Sequence, residues 1–205
     1  VAASSVSNEN STNEFLVLAI FRLGQYPENR MSDEVSVRRI GANEVMSYVE
    51  ALTDVLIDCV EGGASVSFML PLSREKALAF WRGVGEGVVR GERALLVAED
   101  REERVLGTVQ LILAQPENQP HRADVAKMLV HRRGRRKGIA HQLMTAAEQT
   151  ARDEGKSVLV LDTVTGGDAE RLYERAGWQR VGVVPKYALM PDGAFCGTTF
   201  YYKHV

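Results

Sequence analysis

The chain has 205 residues, 45% of them apolar and 25% charged, which fits one globular domain with or without an extension and supplies enough apolar surface for a core of its own. A net charge of −2 argues against a chain built as a whole to seek polyanions such as nucleic acid. Its two cysteines, Cys59 and Cys196, lie far apart and outside any C-x-x-C pattern, and its four histidines lack metal-ligand spacing, so neither a disulfide framework nor a metal is expected and the chain reads as cytoplasmic.

Residues 1–34 read as an N-terminal extension, non-native or poorly ordered, with the ordered domain over 35–205 and Met31 as its natural start. The apolar run FLVLAIF (15–21) is too short to span a bilayer and follows a polar, slightly acidic stretch, so no membrane anchor and no export signal are expected. Val35–Ile40 reads as a short strand, and Glu44–Glu61 as a helix with Val45, Tyr48, Val49, Leu52, Val55 and Leu56 at helical spacing. GGAS (62–65) breaks it, and Ser73 caps a second helix carrying Ala77, Phe80, Trp81 and Val84 on one face, its end left open by Gly83, Gly85, Gly87 and Gly91. Three strands follow, Ala94–Glu99, Val105–Leu113 and Ala123–Val130. Ile139–Glu154 is a helix with Ile139, Leu143, Ala147 and Ala151 in one stripe, closed by Gly155. SVLVLD (157–162) has the continuous apolar run of a strand buried on both faces, and Asp168–Ala176 is a short helix. A last hairpin pairs Trp178–Tyr187 with Phe195–Tyr202 around the turn PDG (191–193). The order β-α-α-β-β-β-α-β-α-β-β describes a mixed α/β (α+β) domain.

Functional interest centres on HRRGRRKGIA (131–140), with five basic residues in the six positions from Arg132 to Lys137. His131 inside it reads as solvated. A Walker loop does not fit, because Gly134 and Gly138 are four apart and Ile139 follows, and no G-x-G-x-x-G exists. The template R/Q-x-x-G-x-G/A does fit, over Arg135-Arg136-Lys137-Gly138-Ile139-Ala140. The helix that starts there has no Ser, Thr, Asp or Asn to cap it, so its first N–H groups lack an obvious partner. A helix N-terminus carries about +0.5 of a unit charge, and the flanking cations oppose that dipole unless an anion such as a diphosphate is bound. A solvated loop and a nucleic-acid patch remain as rival readings, the second weakened by the absence of aromatics from 116–150.

The blocks DVAKMLVHRRGRRKGIAHQLM, LVLDT and AERLYERAGW resemble, in order and spacing, the GNAT family of N-acetyltransferases. GGASVSFMLPL (62–72), RADVAKMLV (122–130) and YALMPDG (187–193) are similar to acceptor-side segments of its tabtoxin-resistance type, and the resemblance covers about residues 35–205. It implies the family fold and acetyl-CoA bound between the splayed strands 123–130 and 157–162. The backbone of Met128, Leu129 and Val130 is then implied to hold the pantetheine arm, with the Val130 N–H as oxyanion donor. Amides of Arg133, Gly134, Arg135, Arg136, Lys137, Gly138, Ile139 and Ala140 are implied to cradle the diphosphate, the arginine side chains being secondary. Tyr173, in LYERAGW, is implied to contact the cofactor and to act as general acid for the departing thiolate, although by periodicity alone it is a core-edge aromatic. Many relatives carry an Asn where Gly166 stands, so any contact made by that side chain is absent or replaced.

An amine acceptor with a pKa of about 10.4 is mostly protonated at neutral pH, so a base is needed. Asp124, read as sharing a strand face with Ala126, Met128 and Val130, and Asp162, at the end of the buried run Val158–Leu161, are the candidates. Each has a plain structural alternative: Asp124 pairs with Arg122 or Lys127, and Asp162 caps the next turn. Acceptor-side candidates are Tyr48, Glu61, Ser65, Phe68, Tyr187 and Phe195. The resulting expectation is direct transfer of acetyl to a primary amine of a small molecule, with amino-acid-like toxins and antibiotics in view. A catalytically silent CoA-binding module and a peptide-amine acetyltransferase are the alternatives. No nucleic-acid or membrane partner is expected, and a homodimer is left open.

Overall fold

Arg93–Glu99 and Val105–Ile112 are buried on both faces along almost their whole length, which makes them central strands of a sheet rather than edges. The computed structural model describes residues 35–205, and the expectations for residues 1–34 lie outside these. Seven strands are present: β1 (Ser36–Arg39), β2 (Arg93–Glu99), β3 (Val105–Ile112), β4 (Arg122–Val130), β5 (Val158–Val164), β6 (Gln179–Leu189) and β7 (Phe195–His204). Four α-helices join them: α1 (Val49–Glu61), α2 (Arg74–Val89), α3 (Ile139–Asp153) and α4 (Asp168–Arg175). The chain order is the mixed α/β order that the periodicity predicts.

Local chemistry accounts for where the boundaries differ. Val45–Tyr48 forms a 3-10 turn before α1, rather than the first turn of one long helix. There the Glu44 carboxylate accepts the Gly41 N–H at 3.0 Å and an Arg38 N–H at 2.9 Å, which fixes the entry. Ser73 caps α2 by accepting the Lys76 N–H at 3.2 Å. The helix continues through three glycines to Val89, because Trp81, Val84 and Val88 keep packing into the core.

The strands lie in the order β1-β2-β3-β4-β5-β7-β6, all antiparallel except for the β4/β5 pair. Helices α1 and α2 cover one face, burying Leu52, Leu56 and Trp81 against Leu95 and Val97. On the other face Leu143 and Ala147 of α3 pack with Leu96, Val109, Leu159 and Tyr201.

One irregularity sets up the site. Thr108 pairs with Leu129 but Gln110 pairs with Ala126, so two residues of β4, Lys127 and Met128, stand opposite Val109 alone. This is a β-bulge, and Lys127 sits in it at φ +50°. An extra residue moves the rest of a strand to the other face. Ala123 and Val125 pack on the α3 side before the bulge, whereas Met128 and Val130 do so after it and Leu129 turns to α1 and α2. The expectation that Asp124 shares a face with Ala126, Met128 and Val130 is therefore corrected: of these three it shares one with Ala126 only.

Candidate active site

Pairing between β4 and β5 is confined to Arg122↔Val158, Ala123↔Leu159 and Asp124↔Val160. Beyond it, β5 pairs with β7 on its other side while Val125–Val130 run without a β5 partner, leaving a cleft that opens toward the end of β4. The His131 N–H donates to the Leu106 carbonyl at 2.9 Å. By the alternation of an antiparallel ladder, the neighbouring Val130 points its N–H and C=O away from β3 and into that cleft. Its carbonyl accepts from Cys59 Sγ at 3.5 Å and from Arg135 Nε at 3.4 Å.

The basic loop follows directly. His131–Arg135 forms a tight 3-10 turn whose buried Gly134 fits under Ile139, where an added Cβ would come within 2.9 Å of Ile139 Cδ1. Gly138 then takes φ +77° and starts α3 without any side-chain cap and without an acid in the first turn. Nothing lies within 4 Å of where a Gly138 Cβ would stand, so the approach to the helix N-terminus is open. The arginine side chains largely turn back onto the protein. Arg132 pairs with Asp58, Arg133 Nη2 donates to the Val105 carbonyl at 2.8 Å, and Arg135 reaches Val130. The features that fit a diphosphate are thus the uncapped N–H groups and their positive surroundings.

Asp58 was not singled out by sequence reasoning, yet it holds this loop. Buried at the end of α1, it accepts the Arg132 backbone N–H at 2.8 Å as well as the Arg132 guanidinium. Its one sequence signal is a carboxylate in the last turn of a helix, where the dipole disfavours it. His131 is likewise corrected from solvated to structural: its Nδ1 accepts the Arg133 N–H at 3.1 Å, its Nε2 faces Asp58 at 3.5 Å, and burial lowers its pKa.

The other face of the cleft carries the titratable groups. Leu159, Leu161 and Tyr201 belong to the α3 side, so Val160, Asp162 and Phe200 look toward α1 and α2. Asp124, across from Val160, lies on that same face. The Asp124 carboxylate is bound by the Arg122 guanidinium and by Gln115 Nε2 at 3.1 Å, so its ion-pair alternative holds in the free protein. Asp162 opens onto the cleft and is solvent-exposed, although the surrounding walls already raise its carboxyl pKa. Lys127 opposes that rise and Asp124 adds to it. A ligand that closes the cleft strengthens the desolvation.

Tyr173, on α4, is buried between Trp178 and Tyr201 with ring centroids 6.0 and 5.9 Å away. Burial first, and the Asp162 charge second, raise its pKa and keep the phenol protonated. The Gly166 N–H, where an Asn was the expected family residue, donates to Glu170 Oε2 at 2.6 Å.

The acceptor-side candidates separate into groups. Ser65 Oγ donates to the Leu189 carbonyl at 2.8 Å and the Leu70 N–H donates to the Pro191 carbonyl at 2.9 Å, tying the α1–α2 connection to the β6–β7 hairpin. Phe68 is buried there, edge-on to Phe80 at 5.2 Å. Tyr187 is exposed and stacks edge-on to Phe200 at 5.5 Å, and Phe195 is 70% exposed near the hairpin tip. Glu61 lies beside the basic loop, 3.8 Å from Arg132. Tyr48 does not join them. Its hydroxyl donates to Glu99 Oε1 at 2.9 Å beside Arg38, at the β1–β2 edge of the sheet, strands away from β5.

Residues 63–178 match the model of the acetyltransferase (GNAT) family, a span that takes in the bulged strand, the basic loop and Tyr173. The chain belongs to the GNAT acetyltransferase family. It is accordingly an acyltransferase. An uncharacterized N-acetyltransferase of the hisH-hisA intergenic region of Azospirillum brasilense is 31% identical over 131 residues, covering 63% of this chain and 75% of that protein. Among solved structures, an N-acetyltransferase from Staphylococcus aureus Mu50 superposes with a TM-score of 0.67 at 18% identity, over 83% of this chain and 98% of that one. A Salmonella typhimurium protein solved with its cofactor acetyl-CoA gives 0.66 at 17% identity, over 83% of this chain and 94% of that one. Among the described residues of this GNAT protein, no helix is long and apolar enough to cross a membrane, and no group of three metal-ligating side chains is assembled.

Asp58→Ala is expected to cost this protein about 1–3 kcal/mol of stability, because the Arg132 N–H loses its acceptor. It is also expected to weaken acetyl-CoA binding by letting the loop move. Denaturant melts and calorimetry read the two effects separately, and an unchanged affinity would show that the loop keeps its shape without Asp58.

Proposed function

We propose that the protein transfers the acetyl group of acetyl-CoA to the primary amine of a small, amino-acid-like molecule, directly and within a ternary complex. The observation that carries the proposal is the cleft between β4 and β5. It has a free, positively flanked helix N-terminus at one end and Asp162 on its acceptor face.

Acetyl-CoA supplies an activated acetyl thioester. Residues Met128–Val130 line its arm with backbone, and the amides from Arg133 to Ala140 receive its diphosphate. The Val130 N–H donates to the oxyanion that forms in the cleft. Asp162 is the base that takes the proton of the acceptor ammonium, its proton affinity raised first by the desolvating walls of the cleft and to a lesser degree by the Asp124 carboxylate. Tyr173, held protonated by its burial, is the proton donor to the departing thiolate. Cys59 is buried and its thiol pKa is raised, which leaves it a poor nucleophile and favours direct transfer over an acetyl-cysteine route.

An acetylation screen over amino acids, amine toxins and peptides, read by mass shift, tests the proposal. Acetyl-CoA binding without acetylation of any amine would leave a silent CoA-binding module, and modification of peptides alone would move the protein to the peptide-amine class. Tyr173→Phe is expected to lower kcat by about 10²-fold with little change in acetyl-CoA affinity. A rate equal to wild type across the pH range would remove the general-acid role.

A further inference from the structure

Lys127 is half-buried on the acceptor face and is an ammonium without a described ion pair: no carboxylate among the described residues lies within 4.0 Å of it. Its Nζ donates to Ser67 Oγ at 3.2 Å and stands 5.6 Å from the centre of the Phe80 ring. Both partners of that hydrogen bond are non-glycine residues at positive φ, +50° for Lys127 and +75° for Ser67, a conformation that persists only where the surrounding structure enforces it. Burial lowers the Lys127 pKa, and the charge of Asp162 supports the ammonium from across the cleft.

A second and a third donor lie on the same face. Gln110 stands opposite Ala126, the residue before Lys127, and is fully buried. Its Oε1 accepts from Arg93 Nη1 at 2.8 Å, which fixes the amide orientation and leaves Nε2 as a buried donor without a partner. Arg93 brings a second positive charge that disfavours the Lys127 ammonium, again with no described carboxylate within 4.0 Å. Two like charges without a carboxylate partner among the described residues and an orphaned amide N–H thus share one face, with Phe80 beside Lys127.

We infer that Lys127, backed by Gln110 and Arg93, anchors an anionic group of the acceptor, so that the substrate is a compact zwitterion with its amine toward Asp162 and a carboxylate or similar oxyanion toward Lys127. The inference rests on the acetyltransferase reading and makes Lys127 a specificity-determining residue. A neutral amine of the same shape would leave the ammonium without a counter-charge and the Gln110 donor without a partner, and that penalty provides the discrimination.

The test uses the common amino acids and their carboxamides as paired acceptors. The wild-type protein is expected to acetylate free acids at least about 10-fold better than the matching amides, in kcat/KM. Lys127→Met is expected to lower the acid-to-amide ratio of kcat/KM by about 10-fold or more, any effect through the Asp162 base being common to both acceptors, while Lys127→Arg keeps part of the preference. Amides equal to or better than acids in the wild type, no acid acetylated at all, or an acid-to-amide ratio unchanged in Lys127→Met would each overturn the anchor. The wild-type comparison stands even if Lys127→Met does not fold. Calorimetric titration with acetyl-CoA separates the two levels, because loss of acetyl-CoA binding by the wild type defeats the acetyltransferase reading itself.

Discussion

Asp162→Asn is expected to lower kcat/KM for the amine acceptor by about 10²–10⁴-fold while acetyl-CoA affinity stays within a few-fold of wild type. The expectation follows from position. Asp162 lies on β5 opposite Phe200, on the face turned toward the α1–α2 connection, with Lys127, Asp124 and Tyr173 as its charged and titratable neighbours. A carboxyl works as a base only when ionised, so the wild-type rate falls as pH drops through its pKa. That pKa is raised in the folded protein, and the acid limb therefore lies above the ordinary aspartate value. The variant loses the limb together with the rate. Its stability moves the other way: a raised folded pKa means that the charged form is disfavoured on folding. Removing the charge is thus expected to raise the melting temperature slightly at neutral pH, and the gain disappears as pH falls from the raised pKa to the ordinary aspartate value. A wild-type rate with the acid limb intact would transfer the base to another group, with Asp124→Asn the next variant to measure.

Gly138→Val is expected to reduce acetyl-CoA affinity by about 10²-fold, read by calorimetry. Two effects combine. At φ +77° an L-residue is strained by roughly 1–2 kcal/mol, more for a β-branched side chain, so the turn that presents the first N–H groups of α3 shifts. The new side chain also enters the open space in front of those groups. Gly138→Asn separates the two, since Asn tolerates this conformation: it is expected to keep the fold and lose part of the affinity. Normal binding by Gly138→Val would mean that the diphosphate is held elsewhere.

Elements defined by periodicity were legible from the sequence, because the pattern that identifies them also causes them. The stripe Ile139, Leu143, Ala147 and Ala151 is buried by α3, and VLVLD forms β5, an interior strand, although only its Leu159 and Leu161 face is buried and Val158 and Val160 on the other face are half-buried. The uncapped start at Gly138 was legible for the same reason, since a missing cap residue is a local fact. Pairing partners were not. The insertion of β7 between β5 and β6, the anchoring of Arg132 by Asp58 and the position of Tyr48 on the Glu99 network join residues between which the sequence shows no local relation.

The sequence by itself determined the order of strands and helices, the cation-flanked helix N-terminus and the residue types available for proton transfer, all of which rest on neighbours within a few positions of one another. Only the tertiary structure decided which faces those residues take. The bulge at Lys127 and Met128 illustrates the reason: one residue more on β4 than on β3 reverses every later side chain. That count belongs to the pairing of two strands and to neither strand alone. By it Met128 and Val130 turn toward α3, away from the face that Asp124 keeps, and an inconspicuous lysine comes to face the cleft.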